Sequence, residues 1–129
     1  MIGRYALDTN IVIALIDRDI SVRDRVIAAD EIFIPSAVLG ELYFGAYKSN
    51  HPDANIARVD DLVRWYVILS IDEATARIYG AMRRELKAKG KPIPENDIWI
   101  AATARQFSAT VATRDDHFDA IDGLSVEKW

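Results

Sequence analysis

The sequence of 129 residues contains no cysteine and only two histidines, His51 and His117. The absence of cysteine excludes disulfide bonds and thiolate metal sites, and two histidines argue against a multi-histidine zinc site. The chain also lacks a run of roughly 20 apolar residues, the length that a membrane-spanning helix needs. No charged segment leads into an apolar stretch at the start of the sequence, so we expect no membrane partner and a cytoplasmic location.

The composition is that of a globular protein, because half of the residues are hydrophobic and 28% are charged. A chain of this length suits one domain, and no linker, repeat or low-complexity segment interrupts it. We therefore predict a single domain over residues 1–129. The formal net charge of −4 argues against broad nucleic-acid binding, unless several acids surround cations that cancel their charge.

Strand-like and helix-like segments alternate along the chain. The predicted strands are 4–7, 31–34, 67–71, 110–113 and 124–126, and the predicted helices are 11–16, 21–29, 36–47, 52–65, 73–89 and 95–106. This alternation predicts an α/β protein with a parallel sheet covered by helices on both faces. Functional groups in such sheets collect outside the carboxyl ends of the strands.

Four short segments carry a carboxylate where a carboxylate is unfavourable. They are YALDTN at 5–10, GELYFG at 40–45, PENDIWIAA at 94–102 and VATRDDHF at 111–118, with the acids Asp8, Glu41, Asp97 and Asp115. A carboxylate in apolar surroundings is costly unless positive charge meets it, and these segments hold no matching set of Lys or Arg. A divalent cation such as Mg²⁺, which prefers oxygen ligands, would satisfy several acids at once.

Each acid also has an ordinary structural explanation. Asp8 could cap the helix after it, Glu41 could lie on a helix surface, and Asp97 could complement a helix dipole. Asp115 could be a turn residue, as could its neighbour Asp116. All four candidates can nevertheless reach one edge of the sheet, because a helix that follows a strand begins at the carboxyl end of that strand.

Four acids around one or two Mg²⁺ or Mn²⁺ ions would form a site for phosphodiester hydrolysis. A bound ion lowers the pKa of water, and a second ion stabilises the leaving oxygen. Thr9 and Thr113 are candidates for orienting waters or ligands. Their ordinary roles as cap and strand residues explain them slightly better.

The same segments resemble the motifs of the PIN-domain ribonucleases. LDTN at 7–10, Glu41-Leu42 in an apolar helix, PENDIWIAA at 94–102 and TRDDHF at 113–118 occur in the order found in that family. Within the family, the chain is most similar to the VapC-type toxins of bacterial toxin–antitoxin pairs. The resemblance implies a three-layer α/β/α fold and a Mg²⁺- or Mn²⁺-dependent endoribonuclease that cleaves structured RNA such as tRNA or rRNA.

The resemblance also implies site residues and partners. It places Asp8, Glu41, Asp97 and Asp115 at the catalytic positions, with Asp8, Asp97 and Asp115 as metal ligands. The family varies at the fourth acid, so Asp116 stays an alternative to Asp115. The implied partners are an RNA substrate, a small cognate antitoxin and a second copy of the chain, with a higher assembly formed together with the antitoxin.

Antitoxins of this family insert a C-terminal segment into a groove between helices near the site. The candidate lining here is Leu42, Tyr43, Phe44, Tyr47, Leu62 and Trp65, of which Leu42 and Leu62 fit core packing better. Exposed aromatic residues commonly mark partner sites. A basic stretch, Arg83, Arg84, Lys87, Lys89 and Lys91, is either a solvated helix face or a surface for phosphate contacts.

Two other functions are consistent with parts of the sequence. The first is a housekeeping PIN nuclease in RNA maturation, which the sequence separates poorly from a toxin. The second is a phospho-acceptor signalling domain with Asp72 as the acceptor. The single acid on the first strand and the lack of a Lys after the last strand argue against it. No GxGxxG loop is present, which argues against a dinucleotide-binding enzyme.

Overall fold

A computed structural model describes residues 3–129 of the chain. Within this range the chain forms five β-strands and six α-helices. The strands are β1 (Arg4–Leu7), β2 (Glu31–Pro35), β3 (Val67–Leu69), β4 (Thr110–Thr113) and β5 (Val126–Lys128). The helices are α1 (Thr9–Ile16), α2 (Ile20–Ala28), α3 (Ser36–Tyr47), α4 (Pro52–Trp65), α5 (Glu73–Ala88) and α6 (Glu95–Gln106).

All five strands are parallel, and their order across the sheet is β3-β2-β1-β4-β5. The first strand of the chain therefore lies at the centre, between β2 and β4. The register pairs Leu7 of β1 with Ala112 of β4, so the residues that follow them leave the sheet side by side. Helices cover both faces of the sheet, which confirms the predicted three-layer α/β/α fold.

The core follows the central strands. Ala6 and Leu7 in β1 and Val111 and Ala112 in β4 are fully buried. A strand covered on both faces needs apolar side chains on both sides, which is why these short segments show no polar alternation. Helix α6 lies deepest among the helices, because Ile98, Ile100, Ala101, Ala102 and Ala104 are all buried.

Several predicted element ends were wrong. Helix α2 runs from Ile20 to Ala28 rather than over 21–29, and Asp19 caps it by accepting the Val22 N–H at 3.2 Å. Helix α1 begins at Thr9 rather than at residue 11, because Asp8 caps it. The third strand ends at Leu69, and the last strand is Val126–Lys128 rather than 124–126. A short 3₁₀-helix at His117–Ala120 was not predicted.

Asp72 serves as the N-cap of α5. Its Oδ1 accepts the backbone N–H of Thr75 at 3.1 Å and the Nε2 amide of Gln106 at 3.0 Å. These hydrogen bonds account for the carboxylate without any signalling role, and β3, the strand before it, lies at the edge of the sheet. At the other end of α5, Gly90 adopts a positive φ of 65°, a conformation that glycine takes at little cost.

No helix formed by residues 3–129 is both long and apolar enough to cross a membrane.

Candidate active site

Asp8 lies at the carboxyl end of the central strand and begins the site. Its backbone N–H donates to the Ala112 carbonyl of β4 at 3.0 Å, and its side chain caps α1 by accepting the Thr9 N–H at 2.8 Å. The residue is only 4% exposed. The strand register therefore fixes the backbone of Asp8, and the helix start fixes its carboxylate.

Two further side chains hold the second oxygen of Asp8. The Thr113 hydroxyl donates to Asp8 Oδ2 at 2.7 Å, and the Asn10 amide donates to the same oxygen at 3.2 Å. Asn10 Oδ1 in turn accepts the Arg114 N–H at 3.1 Å, which joins α1 to the loop after β4. Thr113 is fully buried, so it is more than an ordinary strand threonine. It orients the central acid of the site.

Asp97 and Glu41 reach the same edge from two helices. Asp97 lies in the first turn of α6, and its side chain is only 13% exposed. Glu41 lies in the second turn of α3 and is partly buried. The carboxylate of Glu41 is close enough to Asp8 and Asp97 that each raises its pKa. Three acids from β1, α3 and α6 thus converge outside the carboxyl end of the central strand.

Asp115, and not Asp116, faces this group of acids. The backbone N–H of Asp115 donates to Thr113 Oγ1 at 2.9 Å, and its negative charge raises the pKa of Asp8. The Asp116 side chain is 92% exposed and pairs with the Lys128 ammonium at 2.8 Å. Lys128 also donates to the Asp115 carbonyl at 2.6 Å, so it holds the loop from the outer side.

His117, which was not predicted as a site residue, lies next to two of the predicted acids. Its Nδ1 lies 2.8 Å from Asp97 Oδ2 and 3.1 Å from Asp115 Oδ1. Its position in the motif TRDDHF, two residues after Asp115, was the available signal. The unpredicted 3₁₀-helix brings it to the site, because this helix begins at His117 and turns the chain back toward α6.

The electrostatics of the site are those of crowded acids with little positive charge. Burial raises the pKa of Asp8, Glu41 and Asp97, and repulsion from neighbouring carboxylates adds to each shift. Hydrogen bonds from Thr113 and the Thr9 N–H partly oppose the shift at Asp8. The hydrogen bond to Asp97 raises the pKa of His117.

The donor set of this site fits a divalent cation. Oxygens of Asp97 and Asp115 and a ring nitrogen of His117 all lie within 4.8 Å of one another. Among residues 3–129, no Lys or Arg side chain forms an ion pair with any of the four predicted acids. Several half-buried carboxylates without a Lys or Arg partner are what a hard cation would satisfy.

A groove of about 300 Å³ runs from the site between α1, α3 and α4. It is lined by Ile13, Ile16, Asp17, Glu41, Leu42, Gly45, Ala46, Asn55, Arg58 and Val59. Of the six predicted lining residues, only Leu42 belongs to it. The helical repeat explains the difference, because Leu42 and Ala46 lie on the face of α3 toward α1, whereas Phe44 and Tyr47 lie on another face.

Phe44 and Tyr47 on α3 and Trp65 at the end of α4 are exposed, and these three residues together are here termed the aromatic face. Their relative exposures are 66%, 67% and 80%. Leu62 is buried, in agreement with its interpretation as a core residue. Tyr43 is partly buried, and its hydroxyl donates to Asp60 Oδ1 at 2.6 Å. The exposed aromatic residues that the sequence suggested are therefore present, but none of the three lines the groove.

The basic stretch begins close to the site. Arg83 pairs with Glu95 at 3.2 Å, and Glu95 is two residues from Asp97 on α6. A cavity of about 430 Å³ lies here between α5 and the start of α6, with Arg83 and Lys87 in its wall. Lys89, farther along, pairs with Asp122 at 3.1 Å. Part of the stretch is thus engaged in surface ion pairs.

Comparison with known proteins gives consistent results over the length of the chain. A PIN domain matches residues 5–124. The chain is 36% identical to the Ribonuclease VapC2 of Haemophilus influenzae and 35% identical to the tRNA(fMet)-specific endonuclease VapC of Shigella flexneri, and each alignment covers 98% of both chains. The crystal structure of VapBC2 from Rickettsia felis bound to a DNA fragment from their promoter matches with a TM-score of 0.90 at 32% identity, covering 100% of this chain and 99% of that chain.

Proposed function

Because the chain belongs to the PIN domain family, we propose that it is a metal-dependent endoribonuclease that acts as the toxin of a toxin–antitoxin pair. The observation that carries this proposal is the meeting of Asp8, Glu41, Asp97 and Asp115 at one edge of the sheet, in a chain whose relatives are named as ribonucleases. We further propose that residues 1–129 act as a single catalytic domain located in the cytoplasm.

Asp8, Asp97 and Asp115 would hold a Mg²⁺ or Mn²⁺ ion. Such an ion supplies an activated water at neutral pH and stabilises the charge that develops on the phosphate. Thr113 and Asn10 keep the Asp8 carboxylate in one orientation by donating to Oδ2. A fixed carboxylate matters because a displacement of about 1 Å in a catalytic group can reduce the rate a hundredfold.

Glu41 is suited to take up the proton of the attacking water. Burial and the neighbouring carboxylates raise its pKa, which brings a glutamate closer to the working pH of a general base. Water attacks the phosphorus in line with the departing 3′-oxygen, and the P–O3′ bond breaks. The products are a 5′-phosphate and a 3′-hydroxyl.

We propose structured RNA, with tRNA first, as the substrate. The name of the Shigella flexneri relative, at 35% identity, supports tRNA over rRNA. Structured RNA is read largely by shape and by unstacked bases, so its phosphates need cations near the site. Arg83 and Lys87, in the wall of the cavity between α5 and the start of α6, are suited to supply such cations.

We propose a small cognate antitoxin as the protein partner, and a homodimer as the toxin unit. The solved complex from Rickettsia felis is a VapBC2 pair, which supports a partner of this kind. Glu41 lies in the lining of the α1–α3–α4 groove, so a peptide lying in it would contact this acid and block access to it. The exposed residues of the aromatic face would offer the antitoxin a further contact.

The first test is cleavage of purified tRNA by the purified protein in the presence of Mg²⁺ or Mn²⁺. We expect EDTA to abolish cleavage and Asp8→Asn to lower the rate at least about a hundredfold, because one metal ligand is lost while the shape of the side chain is kept. Asp61→Asn, an exposed acid on α4, is the control and should cleave like the wild type. Full activity of Asp8→Asn, with an unchanged thermal unfolding curve, would contradict the proposal that Asp8 belongs to the metal site of a ribonuclease.

A second test separates a toxin from a housekeeping nuclease. Brief expression should arrest growth, and co-expression of the small protein encoded next to this gene should restore it. Sequencing of cleaved RNA ends after induction identifies the target. Normal growth under expression of active enzyme would contradict the toxin role and leave the nuclease activity intact.

A further inference from the structure

We propose that His117 is a ligand of the catalytic metal ion and that its ring nitrogen shifts the preference of the site from Mg²⁺ toward Mn²⁺. The inference rests on the proposed function, since it concerns the metal of that same site. It differs from the all-carboxylate donor set predicted from the sequence, because it adds a nitrogen donor from the 3₁₀-helix.

The geometry places the imidazole among the carboxylates. Nδ1 of His117 lies 2.8 Å from Asp97 Oδ2 and 3.1 Å from Asp115 Oδ1. Donor atoms about 2.1 Å from a common ion lie roughly 3 Å apart when they are neighbours in an octahedron. Nδ1 is therefore already at nearly the spacing of an adjacent ligand from each of the two carboxylate oxygens, and one donor atom from each of the three residues lies within 4.8 Å of the others. An ion could be accommodated by small outward shifts of the side chains.

The backbone holds His117 at this position. Its N–H donates to Asp115 Oδ1 at 2.9 Å, and the next residue, Phe118, is fully buried in the core. On the outer side of the same turn, Lys128 reaches Asp116 at 2.8 Å and Asp119 at 3.4 Å. The imidazole therefore extends from a fixed point, while its 45% exposure leaves it open to an ion from solvent.

The nature of the donor leads to the metal preference. Mg²⁺ is a hard ion that prefers oxygen and keeps several waters, so one imidazole adds little to its binding. Imidazole is a better ligand for transition metals, and Mn²⁺ accepts both oxygen and nitrogen donors. A mixed set from Asp97, Asp115 and His117 consequently favours Mn²⁺ relative to a set of carboxylates alone.

The alternative role of His117 is a counter-charge for Asp97 and Asp115, and it predicts the opposite result. A cation in the metal position competes with the ion, so its removal would strengthen the binding of both Mg²⁺ and Mn²⁺. Loss of a ligand would weaken Mn²⁺ binding more than Mg²⁺ binding. The two roles are therefore distinguished by the direction of one measurement.

The experiment compares His117→Gln with His51→Gln, since the chain has only these two histidines and His51 lies exposed before α4. Metal-free protein is titrated with MnCl₂ and with MgCl₂ at one fixed pH, without RNA, by calorimetry. We expect the Kd for Mn²⁺ to rise about tenfold in His117→Gln. The Kd for Mg²⁺ should change less than about threefold, and His51→Gln should match the wild type.

A spectroscopic measurement on the Mn²⁺-loaded protein tests ligation directly. Electron spin echo modulation from a coordinated nitrogen should appear in the wild type and in His51→Gln and be absent in His117→Gln. Thermal unfolding shows whether each variant is folded, and His117→Ala provides a second variant without the ring.

The outcomes separate this inference from the function on which it rests. Mn²⁺ binding without nitrogen modulation, or tighter binding of both ions in His117→Gln, overturns the ligand role and leaves a metal-dependent nuclease in place. Failure of the wild type to bind either ion at millimolar concentration overturns the metal-dependent function itself.

Discussion

At the scale of single residues, Asp8 combines two roles that the sequence offered as alternatives. One oxygen caps α1 through the Thr9 N–H, and the other is held by Thr113 and Asn10 toward the neighbouring acids. The start of α1 that explains Asp8 as a cap therefore also orients its carboxylate.

A contact between residues distant in the sequence distinguishes Asp115 from Asp116. Lys128 of β5 lies 12 residues from Asp116 and pairs with the Asp116 side chain, and no local sequence pattern reveals that contact.

The raised pKa values of the site lead to a prediction about stability against pH. Burial raises the pKa of Asp8, Glu41 and Asp97, so each stabilises the fold while protonated and loses this contribution as pH rises through its folded pKa. The pKa of His117 is raised by Asp97, so the stabilisation by the charged ring is also lost as pH rises. We expect the melting temperature of EDTA-treated protein to fall by several degrees between about pH 5 and pH 8, since about 1 kcal/mol shifts Tm by roughly 3–6 °C at this size.

Differential scanning calorimetry in matched buffers measures this slope. Asp97→Asn should flatten it, because a buried carboxylate next to Asp8 is removed, and saturating MgCl₂ should flatten it in the wild type. Asp19, Asp72 and Asp116 have lowered pKa values, so they stay ionised throughout this interval and do not offset the trend. A melting temperature that rises from pH 5 to pH 8 would contradict the expectation.

At the scale of elements, strongly periodic segments were predictable and contacts between elements were not. The ranges of α4, α6 and β4 agree with the sequence prediction at both ends. The 3₁₀-helix was not foreseen, because four residues with a single buried side chain show no helical period and their conformation depends on burial of Phe118. Five of the six residues predicted to line a groove lie outside the α1–α3–α4 groove for a related reason. Which face of α3 meets α1 is decided by packing across the fold, and the apolar residues of α3 extend around much of its surface.

Lys128 of β5 donates to Asp115 and Asp116 in the loop after β4, and these hydrogen bonds predict that it positions this loop. We expect Lys128→Met to lower kcat about tenfold, because the loop that carries Asp115 and His117 loses its outer anchor and the site tolerates little displacement. The melting temperature should change little, since exposed ion pairs add little stability. Steady-state kinetics on tRNA provide the measurement.

Two matched variants make the Lys128 result specific. Lys128→Arg retains the positive charge and should recover most of kcat. Lys48→Met removes an exposed lysine at the end of α3, outside the basic stretch, and should leave kcat unchanged. Equal losses in Lys128→Met and Lys48→Met would show a general effect of surface charge and refute the positioning role.

At the scale of the whole molecule, the surface shows features that one folded chain does not require. The aromatic face exposes three large rings on α3 and α4, although the core is complete without them. The acids of the site are concentrated at one edge of the sheet, which reconciles a net charge of −4 with RNA as the substrate. The sequence indicated both features through its composition, but their positions required the fold.

Trp65 allows a test of the aromatic face. The side chain is 80% exposed, so Trp65→Ala should change the free energy of unfolding by no more than about 0.5 kcal/mol. If the antitoxin covers this face, the same substitution should weaken its binding at least about tenfold, because exposed tryptophans at interfaces carry much of the binding energy. Calorimetric titration of the co-purified antitoxin measures this effect.

Ile27→Ala, at a residue that is 71% exposed on α2, is the matched control and should leave antitoxin binding unchanged. Unchanged antitoxin affinity in Trp65→Ala, together with a shift from dimer to monomer in sedimentation, would assign the aromatic face to self-association instead.

The position of β1 at the centre of the sheet also sets the time at which the enzyme can first act. A ribosome makes Asp8 105 residues before Thr113, the side chain that fixes it, and β1 receives its second neighbour only with β4. At about 5–20 residues per second, this interval lasts roughly 5–20 s. A nascent chain therefore has no assembled set of acids during most of its synthesis. Translation products that stop before β4 would be unable to cut RNA in the cell that makes them.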